Sequence, residues 1–257
     1  MASLGATSDV TVYHTPAASA PETVAQEEEL MATKPPVNAE PDKVVVVHTP
    51  KMEWAKTDHP GAFEKVLERV NDPKKGRETA LLRLDPNTTL PAEELTTRID
   101  MFVLEGSFSD GQGTYGKHTF VRNPAGSRQT LSSTDGCVLY VKRRVPIPGR
   151  EGERSVIDAA TAAWTPFPHR SANVLHLYRD VHGVETARLG ELQANGKIPS
   201  HDHAMGEESF IVRGIFKDEH HTYEAGTWFR YPIGVPHQPY TDEGGCTMLI
   251  REGDLVW

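Results

Sequence analysis

The sequence predicts an all-β protein made of two tandem units, each a β-sandwich or barrel. Three observations carry that expectation. The chain repeats itself, setting Phe102 against Phe210 at an offset of 108 positions. Each copy consists of short runs with strand-type alternation, broken by Gly, Pro, Asn and Asp. Helical periodicity is confined to two short stretches, "HPGAFEKVLERVN" (59–71) and "SVIDAATAAW" (155–164), both of which read as helices.

Residues 1–42 read as a disordered or arm-like tail. They are rich in Ala, Pro, Thr, Val and Glu and carry Glu27-Glu28-Glu29, offering too little apolar surface to offset the entropy of ordering. "TVYHTP" at 11–16 echoes "VVVHTP" at 45–50. The second copy reads as a strand entering the fold; the first could add to a sheet edge, including one on another subunit.

From residue 43 the repeat takes over, with a join near "RVPIPGREGERS" (144–155) that divides the chain into units 43–148 and 149–257. The same offset pairs Gly106 with Gly214, Phe108 with Phe216, Asp110 with Asp218 and Thr114-Tyr115 with Thr222-Tyr223. It also pairs Arg122, Pro124 and Gly126 with Arg230, Pro232 and Gly234, and the two cysteines meet after a one-residue insertion. "EWAKTDHPGAFEKVLERV" parallels "AWTPFPHRSANVLHLYRD" more loosely.

Composition narrows the function classes. With 37% hydrophobic and 25% charged residues a sizeable core is possible, and a net charge of −9 argues against a broad grip on nucleic acid. Cys137 and Cys246 both sit in apolar runs and read as buried small hydrophobes, neither a disulfide framework nor a zinc knuckle. No run approaches the roughly 18 apolar residues of a membrane span, and the N-terminus lacks the pattern of a secretory signal. A cytoplasmic protein without membrane or nucleic-acid partners is expected.

The chemistry gathers around "HDHAMGEE". On a strand, His201 and His203 share one face, and Glu207 follows a turn at Gly206 that can return it to that face. His237 follows the turn-forming "YPIGVP". Three imidazoles and one carboxylate suit a divalent transition metal. Ser209 and Ile211 share strand parity with Glu207, and Gln238 and Tyr240 follow His237, so these four are candidates to line or support the site. Glu208 reads as a surface or supporting carboxylate. His220 and His221 read as a solvated turn, His169, His176 and His182 as ordinary polar residues, and Trp228 and Phe229 as core.

These residues resemble the two motifs of the cupin superfamily. Gly196, His201, His203, Glu207 and Gly214 match the first, whose initial spacer is one residue short here; Gly226, Pro232, Gly234 and His237 match the second. Thr241 stands where the family often has Asn. "GEESFIVRGIFKDEHHTYEAGTWFRYPIGVPHQPY" further resembles the cupin domain of ChrR-type anti-sigma factors and of small dioxygenase relatives, over roughly residues 45–255. The N-terminal zinc domain of ChrR-type regulators, with its His and paired cysteines, has no counterpart in this sequence.

The resemblance implies two tandem double-stranded β-helix (jelly-roll) barrels with a few short helices. Carried through the repeat, His201, His203, Glu207 and His237 correspond to Glu93, Leu95, Ile99 and Gln129, so one metal per chain is expected, in the C-terminal barrel. Fe(II) is the implied ion, with Zn(II), Mn(II) or Ni(II) as alternatives. The implied activity is a dioxygenase acting on a small organic substrate such as a diketone or aromatic ketone. The alternative is a zinc-binding, ChrR-like regulatory or sensor cupin without catalysis; a storage or scaffold role is a third. Cupins often dimerise through sheet edges, so a homodimer is expected.

Overall fold

The structure, a computed structural model, describes residues 34–255; the echo at 11–16 lies outside them. Among the described residues strands dominate, and the helices are two single 3-10 turns, Thr49–Lys51 and Pro168–Arg170. Each has Pro in its first positions, where a preset φ favours the turn and a missing N–H costs nothing. No helix among them is long and apolar enough to cross a membrane.

Both expected longer helices are strands instead. Ala62–Val70 is a strand paired with Arg77–Leu84, with a bulge between Val66 and Glu68. Its counterpart Ala172–Arg179 carries the matching bulge between His176 and Tyr178. The extra residues, Leu67 and Leu177, are both buried between the barrels. A bulge inserts one residue into a period of two, and the broken alternation imitates a helical period. At 155–164, Ser155–Asp158 is a strand, followed by a turn in which the Ala160 N–H donates to the Asp158 carboxylate at 2.9 Å.

Each half forms one large antiparallel sheet with the same strand order, and the first adds a two-stranded sheet of Glu93–Glu94 with Arg128–Gln129. In the first barrel Thr119–Asn123, Arg98–Ser109, Cys137–Arg144, Arg77–Leu84, Ala62–Val70 and Ala55–Lys56 lie side by side. In the second the succession is Thr227–Tyr231, Glu207–Lys217, Tyr240–Glu252, Thr186–Leu192, Ala172–Arg179 and Thr165–Phe167. The leading edge of each is completed by the other half. Val45–His48 pairs with Thr227–Tyr231, setting Val45 against Arg230. Ser155–Asp158 pairs with Thr119–Asn123, setting Ser155 against Arg122. Each half thus covers the edge its twin would leave open.

Alternation along the strands builds three cores. Met101, Val103, Leu82 and Leu139 fill the first barrel; Ile211, Phe216, Phe229 and Met248 fill the second. Their neighbours Phe102, Leu81, Tyr140, Phe210, Trp228 and Leu249 point the other way and pack between the sheets. Trp228 and Phe229 are both fully buried, as expected, and so are the two free cysteines; burial pushes the Cys246 thiol up to about 12.

A buried ionic network also joins the barrels. Lys142 Nζ lies 2.5 Å from the Glu208 carboxylate, and its repeat counterpart Arg251 lies 2.9 Å from Asp100, the counterpart of Glu208. Glu208 is therefore not a surface group: Thr79 Oγ1 (2.8 Å), Trp228 Nε1 (3.0 Å) and the Tyr140 hydroxyl also donate to it. Strand parity explains this, since Glu207 faces the barrel and its neighbour must face outward.

The matched glycines Gly106 and Gly214 mark the same bend. At Gly214, with φ at +79°, a Cβ would lie 2.1 Å from the Gly245 carbonyl oxygen, so only glycine lets the long strand Glu207–Lys217 cross its neighbour there.

Candidate metal centre

The four residues selected from sequence, His201, His203, Glu207 and His237, line one cavity of the second barrel. His201 and His237 form an isolated antiparallel bridge, with backbone N–H to carbonyl distances of 3.0 and 2.9 Å. The His203 carbonyl accepts from Gly206 and Gly234, which ties the first motif to the turn of the second. Gly206, at φ +68°, makes the turn that returns Glu207 to the face of the histidines.

One ring nitrogen from each of His201, His203 and His237 lies within 4.8 Å of the other two. His203 Nε2 is 3.1 Å from His237 Nε2 and 3.2 Å from Glu207 Oε2. Adjacent donors about 2.1 Å from an octahedral ion stand about 3.0 Å apart, a spacing that the His203–His237 and His203–Glu207 pairs match; Glu207 groups with His203 and Glu252, and the three histidines form a set of their own. The tautomers agree. His201 Nδ1 faces the Pro199 carbonyl at 2.9 Å, His203 Nδ1 faces Glu252 Oε1 at 3.3 Å, and His237 Nδ1 faces Asp218 Oδ2 at 3.4 Å. Each acceptor favours a proton on Nδ1, which leaves the Nε2 atoms of His203 and His237 facing each other and the Nε2 of His201 accepting from Arg170 Nη1 at 3.1 Å. With both protons on Nδ1, two Nε2 lone pairs meet at 3.1 Å beside a carboxylate, a place suited to a cation; a proton on either Nε2 makes the same contact a hydrogen bond.

Two residues essential to that arrangement were not assigned a role from sequence. Glu252 belongs to a second potential donor set with His203 and Glu207. Both its oxygens, however, accept from Arg188 at 2.8 Å, and it meets His203 on the side away from His237. These contacts fix the carboxylate against Arg188 and the His203 ring. Asp218 accepts from the Tyr223 and Tyr231 hydroxyls at 2.9 and 2.8 Å and from the backbone N–H groups of His220 and His221. The repeat held a clue, since Asp218 and Tyr223 match Asp110 and Tyr115, which are likewise bonded at 3.0 Å.

The ionisation pattern follows the same contacts. Burial holds the His201 imidazole below its ordinary value, assisted by the Arg170 guanidinium and opposed by the Pro199 carbonyl. Burial also disfavours charge on His203, yet Glu207 and Glu252 outweigh it and raise that imidazole. A proton on His203 is thus the natural competitor of a metal ion. Glu252 is depressed: burial works against its charge, but Arg188 and His203 prevail. Asp218 is depressed in the same way by His237, Tyr231 and the two backbone donors.

The donors border a cavity of about 530 Å³, within the range of small-ligand sites. Its walls are largely apolar, including Val174, Leu192, Ile198, Phe216, Met248 and Ile250, with Arg170, His176 and Arg188 among the polar members. His176, read as an ordinary polar residue, therefore faces this space. Of the four supporting candidates, Ser209 donates to Glu207 Oε1 at 2.8 Å and steadies that carboxylate. Ile211 is packed in the barrel core and does not line the cavity. Gln238 and Tyr240 are exposed, because they lie beyond the bridge that aims His237 inward. His220 and His221 are exposed in their turn.

In the first barrel Leu95 and Ile99 are core residues and Gln129 accepts from Asn123 at 3.0 Å, with Glu93 exposed. Among the described residues, both potential donor sets lie in the second barrel.

Fold and site together define a duplicated β-barrel protein with one His/Glu cluster able to hold a divalent metal. The model of the ChrR cupin-like domain family matches twice, over residues 42–145 and 152–256, and the chain belongs to that family. A structure described as a "putative dioxygenase" from Nostoc punctiforme superposes with a TM-score of 0.71 at 15% identity, covering 85% of each chain. The protein Ylba from E. coli superposes with a TM-score of 0.64 at 11% identity, covering 88% of this chain and 97% of that one. The oxalate decarboxylase of Lactobacillus farciminis, as its formate complex, gives 0.60 at 13% identity over 83% and 87%. At such identities the likeness establishes the cupin fold. No curated protein matches the chain.

Proposed function

We propose that this protein is a mononuclear non-haem metal oxidoreductase, an Fe(II) dioxygenase acting on a small oxygen-bearing organic molecule of the size of a diketone or aromatic ketone. The observation that carries this reading is the set of three imidazoles, His201, His203 and His237, each with its Nδ1 facing an acceptor, beside Glu207 and a largely apolar cavity. A divalent ion there would supply Lewis acidity, and four protein donors would leave two of six positions open, enough for one substrate oxygen beside O2. The protein's own part is positional. His201, His203, His237 and Glu207 set the donor geometry, and Ser209, Glu252 and Asp218 keep it. The apolar walls exclude water from the reacting atoms.

The test is to load the full chain with Fe(II), establish one equivalent of metal, and follow O2 uptake over a panel of diketones, aromatic ketones and 2-oxo carboxylates. Uptake that disappears in His203→Ala supports the proposal. Stoichiometric loading with no uptake by any compound refutes it. Zinc as the sole metal after purification without added metal, together with no uptake, favours instead the regulatory reading suggested by the family's description.

A further inference from the structure

Arg170 stands where a substrate would meet the donors. It ends the 3-10 turn Pro168–Arg170, which Ser171 closes at φ +46°, and the Ser171 carbonyl is tied by the Gln193 N–H at 2.9 Å. This holds the side chain at the cavity wall, where Arg170 Nη1 donates to His201 Nε2 at 3.1 Å; an ion bound to that nitrogen would take its lone pair and release the guanidinium donor to another acceptor. The Phe167 ring flanks the guanidinium at 5.8 Å.

The other cavity guanidinium is spoken for. Arg188 is matched to Glu252 through two hydrogen bonds of 2.8 Å, and Glu207 is turned to Ser209 and His203. Asp202 is the remaining carboxylate on the lining, and it is exposed. Among the described residues, Arg170 has no carboxylate within 4.0 Å. A guanidinium offers only donors, in a fork that fits two oxygens of one carboxylate. The cavity therefore presents an unmatched cation next to the donor cluster, with apolar walls beyond it.

We propose that Arg170 is the anion-recognition residue of this cavity. The favoured substrates are then small carboxylates bearing an oxygen on the adjacent carbon, 2-oxo or 2-hydroxy acids with an apolar body. This deepens the function proposed above and rests on it for the presence of the ion. A carboxylate oxygen or the neighbouring oxygen would reach the ion, while the second carboxylate oxygen would accept from Arg170. A neutral diketone leaves the guanidinium unmatched.

The experiment compares benzoylformate with its methyl ester, which has the same body without the charge. Each is titrated calorimetrically into the full chain carrying one equivalent of Zn(II), with metal content measured beforehand. The same titrations are run on Arg170→Gln, on Arg170→Lys and on metal-free protein. The expected result is that benzoylformate binds more tightly than the ester. Arg170→Gln should weaken benzoylformate about 10- to 100-fold and leave the ester within about twofold, with Arg170→Lys intermediate. Equal effects on acid and ester, or none on the acid, overturn the inference. Failure of the wild-type chain to take up metal refutes the metal centre instead; the acid–ester contrast in metal-free protein, with and without Arg170, then still reads the role of the guanidinium.

Discussion

Replacing Lys142 by Met tests whether the ionic network between the barrels holds the two halves together. The ammonium is fully buried, 2.5 Å from Glu208, 3.2 Å from Glu68 and 3.6 Å from Asp254, and it also donates to Thr79 Oγ1 at 2.9 Å. At an effective dielectric of about 20, attraction to each of the two nearer carboxylates is roughly 5–7 kcal/mol. Desolvating the ions offsets most of that, by several kcal/mol each. Met fills similar space but leaves the carboxylates buried with less compensation, so the expected loss is about 3–5 kcal/mol. That is a large part of the roughly 5–15 kcal/mol stability of a domain. Arg213, 63% exposed and 3.4 Å from Glu191, is the control, and Arg213→Ala should cost no more than about 1 kcal/mol. Burial opposes charge on Lys142, but Glu208, Asp254 and Glu68 raise its pKa above the ordinary value. Its contribution is therefore fully present below the unfolded value of about 10.4 and is lost only as pH rises through the higher folded one. Urea unfolding followed by tryptophan fluorescence should give the same loss at pH 6 and pH 8. A Lys142→Met loss below about 1 kcal/mol, level with the control, would refute the reasoning.

Two further predictions concern the metal centre. Glu252→Gln should weaken metal binding at pH 8 by about 10- to 100-fold, measured by competition with a chromogenic chelator; an unchanged constant would mean that Glu252 does not orient His203. Metal affinity should fall as pH drops from 8 to 5, because the donor imidazoles must be neutral. Glu207 and Glu252 raise His203 against the opposing effect of burial, so protons begin to compete above its ordinary value. In Glu252→Gln that competition should begin at lower pH, and identical pH profiles for the two proteins would contradict the assignment.

The candidate donors and the duplication were legible because their signals are local or periodic. Spacing on a strand and a turn brings His201, His203 and Glu207 to one face, and the Gly and Pro of "YPIGVPH" deliver His237. The repeat paired Ala172–Arg179, a strand, with 62–70, and so already contradicted the helix read there; a bulge had disguised the alternation. Gln238 and Tyr240 followed a donor closely in sequence, yet the bridge at His237 directs them outward.

By itself the sequence determined that the fold is all-β and doubled; it also put the candidate donors in the second copy, with Leu95 and Ile99 at two of the matching positions of the first. Only the tertiary structure decided that the barrels exchange edge strands and that Glu208 lies between them. It also decided that Glu252 and Asp218 orient the imidazoles and that Arg170 reaches His201. The reason is separation along the chain. Lys142 and Glu208 are 66 residues apart, His203 and Glu252 49, and Arg170 and His201 31. No periodicity or turn signal encodes such pairs, because they exist only once the sheets have closed and packed.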